Sequence, residues 1–299
     1  MSNGQLDNIL RHIRSAVAAR QTAEFPDQEL LGRYVAGHDE TAFTAIVERH
    51  GGLVLGVCRR ILRHEHDAED ACQATFLVLA RKAGTIRKGD ALASWLHGVA
   101  GRIARKLHAD AKRRSSAEVR VSDVAGPDTT RDVTWREGLA VLDEELSRLP
   151  ASYRAALIVC YLEGRRQDEA ARELGCSLGA LCGRLVRGRE CLRKRMVRRG
   201  VALPAALAGA VLVAMPAGAA LPPALAVSTI KAAAALLSGQ GLARLVPARV
   251  ATLTEGALTT MSVSRVKTVA ALLLLFAGLL AAGAGALRAP APGEKDWRC

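Results

Sequence analysis

Residues 67–82 read DAEDACQATFLVLARK, and their spacing decides the fold. Ala68, Cys72, Phe76 and Leu79 recur at intervals of four, four and three, which places them on one inward face of a helix. Acid opens the stretch and Arg81 and Lys82 close it, each sign matching the helix dipole at its own end. Asp67, Asp70 and Gln73 then share an outer face. Taken alone, that triplet is better explained as a solvated surface.

Downstream, residues 93–114 read ASWLHGVAGRIARKLHADAKRR. Trp95 and Leu96 open a helix whose later turns carry Arg102, Arg105, Lys106, Lys112, Arg113 and Arg114. A basic helix led by an aromatic neutralises phosphates and stacks on an unpaired base. The alternative is a core Trp95 on a helix that bases merely solubilise. Gly101 is a weak point within it, roughly 1 kcal/mol worse than Ala.

A second amphipathic region begins at Leu149-Pro150, the proline standing near a helix start. Gln167 to Leu174 forms a short helix, Gly175 the tight exit, and Leu178 onward a second helix. Ala170, Ala171, Leu174, Leu181 and Leu185 make their shared apolar seam, the pattern of a helix-turn-helix. A plain helical hairpin shares that seam. The second helix and its extension, however, carry Arg184, Arg187, Arg189, Arg193, Lys194, Arg195, Arg198 and Arg199 against only Glu190. Phosphate contact explains that excess better than solvation does.

The whole chain of 299 residues suits two small domains plus an appendage. Its net charge of +13 favours a polyanionic partner, nucleic acid or an anionic membrane surface. Aromatics are only 3% and strand-like alternation is hard to find, so an all-α chain is expected. The seven cysteines form no CxxC pair and no secretory signal opens the chain, which suits a reducing cytosol. Composition divides the chain into an N-terminal extension (1–23), a first helical module (24–114), a polar linker (115–137) and a second module (138–199). An Ala-rich apolar extension (200–264), a spanning segment (265–287) and a tail (288–299) follow.

The first module, through DAEDACQATFLVLARKAGTIRK and ASWLHGVAGRIARK, resembles region 2 of extracytoplasmic-function RNA polymerase sigma factors. The segments LPASYRAALIVCYLEG and DEAARELGCSLGALCGRLVRGRECL are similar to region 4 of the same family. The resemblance covers about 24–199 in the family's order. It implies that Asp67, Asp70 and Gln73 dock on clamp helices of core polymerase. It also implies that Trp95, Arg102 and Arg105, with Lys106 beside them, read and open the minus-ten promoter element. Arg184, Arg187 and Arg189 belong to the helix that reads the minus-thirty-five element. That helix departs from the family where Ala180, Leu181, Cys182 and Gly183 replace a polar run. Each lost base contact removes about 1–3 kcal/mol of discrimination. An anti-sigma factor is a further partner that the family implies.

Thr268 to Leu287 contains no charge and meets the roughly 20-residue length of a membrane-spanning helix. Arg265 and Lys267 on its N-terminal side put the basic modules in the cytoplasm, anchored to the cytoplasmic (inner) membrane. Val201 to Leu221 is also apolar but proline-broken, so a second span, a re-entrant piece or a hairpin remain open. No catalytic constellation, cofactor motif or metal spacing is present; His64, Glu65, His66 and Asp67 cluster only locally. The expected function is therefore a non-enzymatic sigma factor that binds core polymerase and promoter DNA. A membrane-anchored helix-turn-helix regulator that does not join polymerase is the alternative, and a membrane scaffold a third.

Overall fold

The computed structural model describes residues 25–86, 91–118, 130–200, 221–237 and 246–260, and no strand occurs among them. The elements are α1 (Asp27–Gly37), α2 (Glu40–Ile61), α3 (Glu65–Lys82), α4 (Leu92–Glu118), α5 (Thr130–Ser147) and α6 (Ala151–Leu157). They continue with α7 (Gln167–Glu173), α8 (Leu178–Arg198), α9 (Pro223–Leu237) and α10 (248–260).

Helix α2 is the hub, packing on α1, α3, α4, α5 and α9. Asp39 starts it, its Oδ1 accepting from the Thr41 and Ala42 amides at 2.9 and 3.2 Å. A cap of that kind stabilises by about 1 kcal/mol. Phe43, Ile46 and Leu55 of α2, Phe76, Leu77 and Leu79 of α3 and Leu96 of α4 are fully buried. Each contributes roughly 1.5–3 kcal/mol of burial. Ala68, Cys72, Phe76 and Leu79 all face inward on α3, as their spacing predicts.

In the second module, α7 and α8 form the helix-turn-helix. Gly175 takes φ +58°, the left-handed value a glycine adopts without penalty. The Ser177 Oγ caps α8 by accepting from the Ala180 amide at 3.2 Å. Leu181, Leu185, Ala170 and Ala171 are all buried where α7 packs on α8, and Gly188 lets α8 approach Leu157 and Tyr153 of α6.

Both ends of the expected 115–137 linker are helical, since α4 runs to Glu118 and α5 starts at Thr130, and residues 119–129 lie outside the described residues. Gly126 and Pro127 confine helix-breaking chemistry to the middle of that polar stretch. The two modules also interlock rather than hang independently. Asp143 of α5 is fully buried against the first module, accepting from Arg60 Nε at 2.7 Å and Nη2 at 3.1 Å. It also meets His97 Nε2 at 3.0 Å. Arg154 Nε donates to Ser94 Oγ at 2.8 Å.

A second clasp centres on buried His50. Its Nε2 lies 2.9 Å from Asp27 Oδ2 and its Nδ1 contacts Glu163. A wide π-turn, Ile158–Leu162, ends α6 just before Glu163 and aims that carboxylate back at α2. Burial would lower the imidazole pKa, but Asp27 and Glu163 outweigh it and raise it to about 10. Burial would likewise raise Asp27, yet His50 and Arg49 hold it well below the carboxylate range. Burial beside Asp27 pushes Glu173, at the rim of the cluster, up to about 7.

The charged imidazole thus stabilises the fold fully below its unfolded pKa near 6.5, and loses that contribution as pH rises through about 10. We expect the stability gap between the wild type and His50→Gln, measured by denaturant titration, to be largest near pH 6 and to close toward pH 10. A gap constant across that range would make His50 a packing residue only.

No helix among the described residues is long and apolar enough to cross a membrane. The spanning segment expected at 265–287 lies outside the described residues, as does almost all of Val201–Leu221.

Candidate functional site

Helix α4 turns one face to the core and the other outward. Leu92, Leu96, Val99, Ala100, Ile103, Ala104 and Leu107 are buried; Trp95 and Arg105 are half-buried, and Arg102 and Lys106 are exposed. The offsets from Trp95 to Arg102, Arg105 and Lys106 are seven, ten and eleven residues, which is one helical face. Trp95 is thus neither fully core nor fully free.

Glycines shape this cationic face. A Cβ at Gly98 would come 3.6 Å from an Arg102 guanidinium nitrogen, and one at Gly101 would come 3.1 Å from that of Arg105. Side chains on a helix lean toward its N-terminus, so a glycine one turn earlier lets each arginine lie flat. Gly183 does the same for Arg187 on α8, again at 3.1 Å. The weak point at Gly101 is therefore room for a guanidinium. Burial lowers the Arg105 pKa, and its Nη1 is buried without a hydrogen-bond partner among the described residues.

On α8 the basic residues divide into two groups. Arg193 and Lys194 pair with Glu190, Arg195 with Glu145, and Arg199 with Glu144. Those four are tied within α8 or to α5, which corrects the expectation that all eight bases face phosphate. Arg184, Arg187 and Arg189 make no ion pair among the described residues, nor do Arg102, Arg105 and Lys106. Leu178, 51% exposed, and Val186, 57% exposed, lie on the same open side of α8. Cys182 Sγ donates to Gln167 Oε1 at 3.3 Å, turning it toward α7.

The acid-and-amide face of α3 is occupied. Asp67 is 14% exposed, Asp70 22% and Gln73 6%, so the expected outer surface is covered. Arg249 of α10 reaches Asp67 Oδ1 at 2.5 Å and Asp70 Oδ2 at 3.8 Å. Gln73 Nε2 donates to Ser228 Oγ of α9 at 3.4 Å. Burial, with Asp67 and Glu69 adding to it, outweighs Arg249 and raises the Asp70 pKa. Arg249 and Ser228 were not among the sequence candidates. The only signal for them was a few polar groups within an apolar extension. Among the described residues no three metal-ligating side chains converge.

Two family models match in the order of these modules: Sigma-70 region 2 over residues 46–114 and Sigma-70, region 4 over residues 139–192. The ECF RNA polymerase sigma factor SigM of Mycobacterium tuberculosis is 34% identical over 173 residues, covering 57% of this chain and 85% of SigM. The chain belongs to the ECF sigma factor family. The RNA polymerase sigma-H factor of Pseudomonas aeruginosa is 27% identical, with 57% of this chain and 93% of that protein covered. A solved structure, CnrH in complex with the cytosolic domain of CnrY, is similar at 24% identity and a TM-score of 0.29, covering 57% of this chain and 97% of CnrH. This sigma factor directs promoter-dependent initiation of transcription with RNA polymerase. Both α9 and α10 fall outside the two matched stretches.

Proposed function

We propose that this sigma factor docks on core polymerase through Asp67, Asp70 and Gln73. It holds promoter DNA through two patches, Trp95, Arg102, Arg105 and Lys106 on α4, and Arg184, Arg187 and Arg189 on α8. The observation that carries the DNA part is the sorting of bases. Among the described residues the six cations assigned to DNA lack carboxylate partners, as do Arg114 and Arg198, while Arg193, Lys194, Arg195 and Arg199 of α8 are paired. Unpaired guanidiniums lying flat on a helix favour phosphate oxygens as the missing counter-charge. Exposed Leu178, Ala180 and Val186 offer apolar contact to thymine methyl groups where polar readers are absent.

The uncharged stretch Thr268–Leu287, with Arg265 and Lys267 before it, supports a tether to the inner membrane that leaves the sigma modules in the cytoplasm. An anti-sigma factor is a further partner consistent with the family.

Docking is tested by reversing charge. The full chain carrying Asp67→Lys and Asp70→Lys is expected to lose co-purification with core polymerase, a drop of 100-fold or more in affinity for two reversed interfacial charges. Both lysines also repel Arg249, so the loss would not come from a tighter intramolecular contact. Retention of wild-type binding would remove the docking assignment.

A further inference from the structure

The face assigned to polymerase is already filled by the chain's own C-terminal extension. Leu221 lies over Gly51 of α2 so closely that a Cβ there would stand 2.8 Å from the leucine Cβ. From that point α9 runs across α2 and α3, burying Thr229, Ala232 and Ala233. Ser228 meets the Gln73 amide, and α10 delivers Arg249 to both carboxylates of the face. Each of the three proposed docking side chains thus has its partner in the extension, and the charges are complementary.

We propose that residues 221–237 and 246–254 form an intramolecular cover, which holds the docking face closed and must leave before RNA polymerase can bind. This inference rests on the reading of Asp67, Asp70 and Gln73 as the docking face.

The cover is built to be displaced. Its buried residues on α9 are Ala and Thr, and α10 adds only Val250 and Leu253 among large apolar groups, where the helices beneath bury Phe and several Leu. Its ion pair uses an Arg249 side chain that is 40% exposed and therefore screened. The hydrogen bond to Gln73, at 3.4 Å, is long. Such contacts reduce apparent affinity by the fraction of time spent open without abolishing it. The segment also lies outside the matched sigma regions, so its departure leaves both of them intact.

Two variants of the full chain open the cover without touching the docking side chains. Arg249→Glu places a third carboxylate beside Asp67 and Asp70. Ala232→Glu forces a charge into the contact between α9 and the helices below. Amide hydrogen exchange over residues 223–237 reports whether the cover has left, and titration with core polymerase reports affinity. We expect faster exchange in both variants together with at least tenfold tighter polymerase binding. Adding polymerase to the wild type should likewise speed exchange over 223–237. Faster exchange with unchanged or weaker affinity in both variants would overturn the cover. Adding Asp67→Lys and Asp70→Lys to Ala232→Glu separates the two ideas. Loss of binding there means that the face docks, and the gain or its absence in Ala232→Glu alone then decides whether the cover gates it. Binding that survives the reversal removes the docking reading itself.

Discussion

Replacing Asp143 with Ala is expected to destabilise the chain by about 3–5 kcal/mol, the usual cost of removing one partner from a buried ion pair. The carboxylate is fully buried and holds both Arg60 and His97, so its loss strands two cationic or polar groups away from water. Burial alone would raise its pKa, but Arg60 and His97 bring it down to about 2. A depressed carboxylate contributes above its unfolded pKa near 3.8 and loses that contribution as pH falls through about 2, so the cost is whole at pH 7. Urea unfolding at pH 7 measures it, with the slope unchanged if only the clasp is affected. Replacing Arg60, His97 and Asp143 together by apolar residues of similar size should cost far less, since no orphaned charge remains. A single-variant cost under about 1 kcal/mol would mean that the region 4 helix α5 is held to region 2 by apolar packing alone.

The helical framework was legible because burial and periodicity agree. Ala68, Cys72, Phe76 and Leu79 declared the inward face of α3, and Gly175 marked the turn between α7 and α8. Long-range charge pairing was not legible. Asp143 and Arg60 are 83 residues apart, and His50 and Glu163 are 113 apart. Nothing in local spacing distinguishes such groups from solvated charges, so two modules expected to be joined by a linker prove also to be clasped. The same blindness hid Arg249, whose meaning depends on a helix some 180 residues earlier in the chain. For the DNA faces, sequence counted eight bases on α8 and its extension but could not tell which ones α5 neutralises. Glu190 pairs locally with Arg193 and Lys194, but Glu144 and Glu145, placed by the fold, take up Arg199 and Arg195.

Binding of duplex DNA by the full chain should fall steeply with salt, and the steepness should follow that same division. If Arg102, Arg105, Lys106, Arg184, Arg187 and Arg189 each neutralise one phosphate, the slope of log affinity against log salt is about −5, from roughly 0.9 per contact. Between 50 and 200 mM salt the affinity then drops on the order of a thousandfold. Changing Arg102 or Arg187 to Ala should weaken binding across all sequences and reduce the slope by about one. Arg193→Ala and Arg199→Ala are the deciding controls, because Glu190 and Glu144 already hold those guanidiniums at 2.7 and 2.6 Å. Anisotropy titrations over a salt series should leave their slopes at the wild-type value. Equal losses from Arg187→Ala and Arg199→Ala would show that the helix acts as a diffuse cationic rod, and that the internal pairing does not choose which charges meet DNA.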